Sequence, residues 1–252
     1  MNQRTAYVAY GLFCYCLFWA TSAYAIGFVG NHWAVFGWRS AWLRSLDGDE
    51  GAPLVEALAL DFSLLALFGV QHSVMARRSF KDWWARFIPP VLERSTYVLA
   101  ASLCVVLLFW LWRPIGFVLW DTSHGAAGYG FVAVSFVGWL IAAGSTFLID
   151  HAELFGLRQV FGASNAPAEA SNEFKTPGLY RAVRHPLYLG FLVAFWSTPI
   201  MTLGHFVFAA GSTLYVLVAI PLEERDLMAR FGDRYASYRK RVRALLPFPR
   251  SE

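Results

Sequence analysis

The chain has 252 residues and a formal net charge of +4, with 57% hydrophobic, 17% aromatic and only 15% charged residues. Soluble domains carry roughly 25% charged residues, so this composition excludes a water-soluble enzyme. Apolar runs of about 18 or more residues recur, the mark of spanning helices, and the expected fold is an all-α membrane helix bundle.

Six apolar segments follow in order: Thr5–Val29, Leu54–Met75, Thr96–Trp112, Tyr129–Ile149, Leu187–Leu203 and Phe206–Ile220. They predict a single domain of five to six transmembrane helices followed by a cytoplasmic amphipathic helix. The first segment begins after Arg4 with no small-residue cleavage site, and reads as a retained helix rather than a signal peptide. The loop Asn31–Pro53 is rich in Gly, Trp and acid, and its Trp residues suit an interfacial belt. In the second segment Asp61 and His72 share one face, roughly 16 Å apart by helix rise. An Asp at a helix centre costs about 2.5–3.5 kcal/mol on insertion scales, so Asp61 is expected to face the bundle and find a partner.

The loop Arg77–Arg94 is basic and aromatic, with Trp83 and Trp84, and reads as an interfacial helix closed by Pro89-Pro90. Asp150-His151 ends the fourth helix at the level of His72. Gly162–Thr176 is small, polar and aperiodic, the best candidate for a lid. The last two segments are separated only by Gly204-His205 and predict a tight helical hairpin, its first arm kinked at Pro199. Leu227, Phe231, Tyr235, Tyr238, Val242 and Leu245 then mark one face of a helix whose other face is charged, suited to the inner leaflet.

All basic residues except Arg39, Arg44 and Arg113 fall in segments that share a side with the N-terminus. The positive-inside rule therefore places both termini in the cytoplasm. The positive charge then describes an inner face against anionic membrane lipids, not a nucleic-acid binder. Cys14, Cys16 and Cys104 all lie in apolar segments with no Cys/His cluster, so they read as buried hydrophobes and no metal is expected.

Chemistry concentrates at both ends of the last two segments. In Arg184-His185-Pro186-Leu187-Tyr188-Leu189-Gly190, proline is favoured at the first helical position, so His185 is expected to cap the helix. The N–H groups of Leu187, Tyr188 and Leu189 then open an anion site, with Arg181 and Arg184 nearby and Gly190 permitting close approach. At the exit end, Glu223-Glu224 follows Pro221 on an otherwise basic face, Glu223 being expected to point inward with Leu227 and Phe231. Snorkelling of the basic residues, and ion pairing of the acids with Arg181, Arg184 or Arg225, are the structural alternatives. An anion site beside a cation site suits S-adenosylmethionine, whose sulfonium Tyr188, Tyr235 and Tyr238 can contact by cation–π attraction.

RHPLYLG followed by EERDLMARFG, Y-x-x-Y and a basic-to-Pro ending resembles the isoprenylcysteine carboxyl methyltransferase and phospholipid methyltransferase group of membrane enzymes. The resemblance covers Leu179 to Phe248 and implies that this region binds S-adenosylmethionine, at His185, Tyr188, Gly190, Glu223, Glu224, Tyr235 and Tyr238. The closing ALLPFP matches only loosely. Earlier in the chain, LFGVQHSVMARRSFKDWWARFIPPVLERSTYV and IDHAELFGLRQVFG look like the bacterial methanethiol S-methyltransferases, a half shared with NnrU-type membrane proteins. This implies methylation of a small thiol, methanethiol to dimethyl sulfide, in the bacterial inner membrane. Residues 1–150 would shape the acceptor pocket and 177–248 would hold the cofactor.

The expected mechanism is direct in-line transfer of the sulfonium methyl. A free thiol titrates near pH 8.5, so His72 or His151, with Asp150 at the same level, is a candidate to take its proton. Two readings compete: a methyltransferase acting on a lipid amine or prenylcysteine carboxyl, and a non-enzymatic NnrU-like membrane protein.

Overall fold

The structure, a computed structural model, describes residues 2–31, 43–48, 51–162 and 174–247. Five helices are long and apolar enough to cross a membrane. They are α1 (Gln3–Gly30), α2 (Leu54–Ala76), α4 (Glu93–Leu111, entered through a 3-10 turn at Pro90–Leu92), α5 (Ala126–Ile149) and α9 (Leu203–Phe231). Shorter helices connect and complete them: α3 (Arg78–Trp84), α6 (His151–Leu154), α7 (Leu157–Val160), α8 (Pro186–Trp196) and α10 (Asp233–Arg241). Most of the expected Trp belt and of the expected lid at 162–176 lies outside the described residues.

Local chemistry sets the ends of these helices. The Asn2 side chain accepts from the Arg4 N–H at the start of α1, and Asn31 closes it at φ 49°. Asn tolerates that left-handed conformation better than most residues. Thr202 caps α9 by accepting from the His205 N–H at 3.1 Å.

Two helix groups form the bundle. α4 packs against both α1 and α2, while α5 and α8 make the closest pair. At Gly138 and Gly190 an added Cβ would sit 2.5 Å from the backbone N of Ala194 and Ala142 respectively. With no solvophobic drive between helices in lipid, such small-residue contacts supply the packing. α9 joins the groups, touching both α2 and α8.

The expected hairpin at Gly204-His205 does not form. α8 ends at Trp196, and Ile200–Thr202 (β2) instead pairs antiparallel with Val118–Asp121 (β1). Pro199 therefore lies outside any helix, where its carbonyl accepts from the Thr122 N–H at 2.8 Å. Gly204 and His205 belong to α9, because Leu203 and Gly204 donate their N–H groups to Phe117 and Ile115. The ribbon reverses the chain and so makes a helical turn unnecessary. α9 also continues through Pro221 to Phe231, where Gly232 (φ 52°) breaks it from α10. The predicted C-terminal helical face is thus split over two helices, and Val242 leaves helical geometry altogether.

At the ribbon end of the bundle the polar groups are locked together. Asp47 accepts from Thr202 Oγ1 at 2.7 Å and lies 3.3 Å from His205 Nδ1. His205, fully buried, donates Nε2–H to the Phe195 carbonyl at 2.8 Å. Asp61, also fully buried as expected, accepts from the Arg113 N–H at 2.9 Å. Phe28, Leu46, Leu64, Phe109, Trp112 and Phe208 pack into the hydrophobic core.

Candidate active site

The entry and exit motifs are joined by backbone first. Arg184 and His185 donate their N–H groups to the carbonyls of Arg243 and Ala244 at 2.9 and 3.0 Å, and Val183 bridges Arg243 in parallel. This short pairing, which no sequence periodicity announced, brings the two charged segments side by side.

Glu224 lies at the centre. Its Oε1 accepts from Arg184 Nε and Nη2 at 2.7 and 2.6 Å and lies 3.1 Å from His185 Nε2; its Oε2 is 3.2 Å from Arg239 Nε. The side chains of Glu224 and Arg184 are 6% and 5% exposed. Arg184 also donates to the carbonyls of Arg239 and Val242. Both groups are therefore committed to protein partners, and breaking such a buried pair typically costs about 3–5 kcal/mol. The ion-pairing alternative raised by the sequence describes Glu224 well.

Glu223 differs. Its side chain is 48% exposed, with Oε2 3.6 Å from His185 Nδ1. The inward residue is thus Glu224 and not Glu223: the buried stripe of α9 runs through Val216, Ile220 and Glu224, turned toward Arg184 and His185. Glu223 hydrogen-bonds the Tyr188 hydroxyl. Its charge is felt by Tyr97, Tyr180, Tyr215 and Tyr235 as well. A half-open carboxylate facing aromatic rings is a setting that favours cations.

Beyond these rings lies His72. Its ring contacts Phe68, Tyr97 and Tyr215 at centroid distances of 5.2, 4.9 and 6.5 Å. Tyr97 donates to the His72 carbonyl at 3.3 Å. Among the described residues, buried His72 Nδ1 has no hydrogen-bond partner. Buried polar groups seldom stay unpaired, so the bare nitrogen marks a place for a ligand atom or a water.

The other expected residues fall in three places. Tyr235 and Tyr238 are buried against Phe174, with ring centroids at 5.8 and 5.3 Å, and Tyr238 donates to the Tyr180 carbonyl. Burial pushes the Tyr238 phenol up to about 12 and that of Tyr235 further, so both stay protonated. Leu189 donates its N–H to the His185 carbonyl at 3.0 Å, and what approaches Gly190 is the backbone of α5. Asp150 caps α6 through the Glu153 N–H at 2.9 Å and pairs with Arg158 at 2.5 Å. His151 has both ring nitrogens engaged, by Tyr15 at 2.9 Å and Thr146 at 2.8 Å, and stacks on Phe147 at 4.0 Å. Burial lowers its pKa. The structure brings Tyr188, Glu223, His185, Glu224 and Arg184 into one network, and sets His72 among Phe68, Tyr97 and Tyr215, two of which feel the Glu223 charge. It holds Asp150 and His151 in another, against α1 and α5.

Sequence reasoning missed Tyr97, Tyr215 and Gly69. The available signal was a hydroxyl within each apolar run, since a buried Tyr O–H needs a partner. Gly69 and Tyr215 meet only across α2 and α9, which no spacing within one helix reveals.

A shallow cleft of about 440 Å³, lined by Pro221, Glu224, Arg225, Met228, Ala229 and Arg239, opens nearby. Pro221, Arg225 and Met228 share a helix face about 140–200° away from Glu223, so this cleft lies on the other side of α9 from that carboxylate.

A family model described as "Protein of unknown function (DUF1295)" matches residues 83–242. The chain is 48% identical over 246 residues to a methanethiol S-methyltransferase of Crocosphaera subtropica, covering 98% of this chain and 93% of that protein. It is 47% identical over 247 residues to the Mycobacterium tuberculosis protein of the same name, covering 98% of each. Nurim of Bos taurus is 32% identical over 197 residues, 75% of this chain and 74% of Nurim. No solved structure matches. The chain belongs to the DUF1295 family and, within it, to the family of methanethiol S-methyltransferases.

Proposed function

We propose that this protein transfers the methyl group of S-adenosylmethionine to methanethiol, giving dimethyl sulfide, at the cytoplasmic side of the bacterial inner membrane. The observation that carries the reading is the half-open Glu223 carboxylate, hydrogen-bonded to Tyr188 and 3.6 Å from His185 Nδ1, whose charge reaches Tyr97, Tyr180 and Tyr215. The names of relatives matching nearly the whole chain support the acceptor. The basic residues clustered at the Glu223 end of the bundle support the orientation.

The residues fit a sulfonium cofactor. Glu223 supplies negative charge, the tyrosine faces supply cation–π attraction, and the engaged Arg184 and Glu224 hold the frame without competing for the ligand. Bound S-adenosylmethionine supplies an electrophilic methyl group, delivered in line to the thiol sulfur. His72 Nδ1 accepts the thiol proton, because it has no hydrogen-bond partner among the described residues. His151 is less suited, since both of its ring nitrogens are engaged. Holding both reactants in a closed apolar site supplies much of the acceleration.

The test is purified protein with methanethiol and S-adenosylmethionine, with dimethyl sulfide measured by gas chromatography. Stoichiometric product is expected, and absence of dimethyl sulfide would sink the assignment. His185→Ala is expected to weaken binding of S-adenosylhomocysteine in calorimetry.

A further inference from the structure

Tyr215 lies in a slot that Gly69 leaves open. A Cβ at Gly69 would come 3.0 Å from Tyr215 Cδ2 and 3.4 Å from Cε2, so the ring rests directly on α2. One helical turn further along, Ser73 hydrogen-bonds the Tyr215 hydroxyl. The ring is thus strapped along α2 at base and tip, beside His72.

Three rings surround His72, and they are not equally close. Phe68 stacks on it at 5.2 Å and Tyr97 tilts against it at 4.9 Å, whereas Tyr215 stands edge-on at 6.5 Å. The hydroxyl groups of Tyr97, Tyr188 and Tyr215 are occupied by the His72 carbonyl, Glu223 and Ser73. Aromatic carbon and the His72 Nδ1, without a partner among the described residues, thus share this wall. Such a surface suits a thiol S–H carrying a very short alkyl group. It offers nothing to a carboxylate, a sugar or an amide.

We propose that Tyr215, seated by Gly69 and Ser73, sets the acceptor size limit and restricts the enzyme to thiols of about one or two carbons. The inference rests on the methyltransferase reading above. In apolar pockets a single methylene changes selectivity by about 10- to 200-fold, so truncating the ring is expected to move the preference measurably.

The experiment compares kcat/KM for methanethiol and butanethiol in the purified protein, with each methyl sulfide quantified by gas chromatography. Y215A is expected to raise the butanethiol-to-methanethiol ratio by at least about tenfold. Y215F, which keeps the ring, is expected to hold the wild-type ratio. G69A, which forces the ring off α2, is expected to lower methanethiol turnover. Binding of S-adenosylhomocysteine verifies that each variant is folded, and Y215L replaces Y215A if the latter does not fold. An unchanged ratio in a folded truncation variant, with wild type active, overturns the size limit and leaves the function standing. A wild-type protein that forms no dimethyl sulfide overturns both.

Discussion

The two ends of the bundle use similar residues for opposite purposes. At the ribbon end, Asp47, Thr202, His205 and the Phe195 carbonyl engage one another within 2.7–3.3 Å. At the other end Glu224 is as fully engaged, but Glu223 beside it is 48% exposed and His72 Nδ1 lacks a partner among the described residues. A buried acid or histidine is therefore a poor pointer to function on its own. What separates a staple from a site is whether hydrogen-bonding capacity is left over once the fold has formed.

Substitutions can break this contrast. The largest effect is expected for Glu224→Ala, which strands Arg184 in a buried position and should cost about 3–5 kcal/mol, seen as a large drop in melting temperature. His72→Ala should lower kcat by about 100-fold or more, the usual scale for a general base, while affinity for S-adenosylhomocysteine stays near wild type. Raising the pH toward 8.5 should partly rescue this variant, because more of the thiol is then already thiolate. Glu223→Gln should weaken cofactor binding by about 10- to 100-fold, from the roughly 1.5–3 kcal/mol of a hydrogen bond to a charged group, and leave the melting temperature unchanged. Equal losses of stability in Glu223 and Glu224 variants would abolish the proposed division of labour. Asp47→Ala should cost about 1–3 kcal/mol of stability, with kcat/KM preserved in the protein that remains folded.

The smallest effect concerns pH. Burial depresses the pKa of His151 from 6.5, so its neutral form is the one the fold favours. Its contribution to stability is present above about pH 6.5 and is lost as the pH falls through the lowered value. A His151→Gln variant should show a flatter loss of stability on acidification. Identical acid profiles for the two proteins would show that His151 carries none of it.

Legibility followed periodicity. The five long spans were readable because each is a sustained apolar run, and the burial of Asp61 followed from the cost of leaving it in lipid. The pairing of Glu224 with Arg184 was visible as an alternative because opposite charges flank the same two segments. The ribbon was not readable: Val118–Asp121 and Ile200–Thr202 are too short to alternate recognisably, and each depends on the other. The continuation of α9 through Pro221 was hidden because proline ordinarily breaks a helix, and the missing N–H is tolerated here on an exposed face. Glu223 was expected to face inward because it shares a face with Leu227 and Phe231, but those two are only partly buried, and the buried stripe of α9 runs through Val216, Ile220 and Glu224 instead. Tyr97 and Tyr215 beside His72 escaped notice since they resemble any aromatic residue in a span.

The short α8 has a consequence for the route taken by reactants. Its 11 residues extend roughly 16 Å, about half of a hydrocarbon layer of about 30 Å. Its contacts at the two ends, His185 with Glu224 and Phe195 with His205, are therefore separated by only about one leaflet's depth of helix. On the proposed function, a small volatile thiol and the still less polar thioether made from it have the surrounding lipid as both reservoir and exit, and the charged donor alone has to come from water.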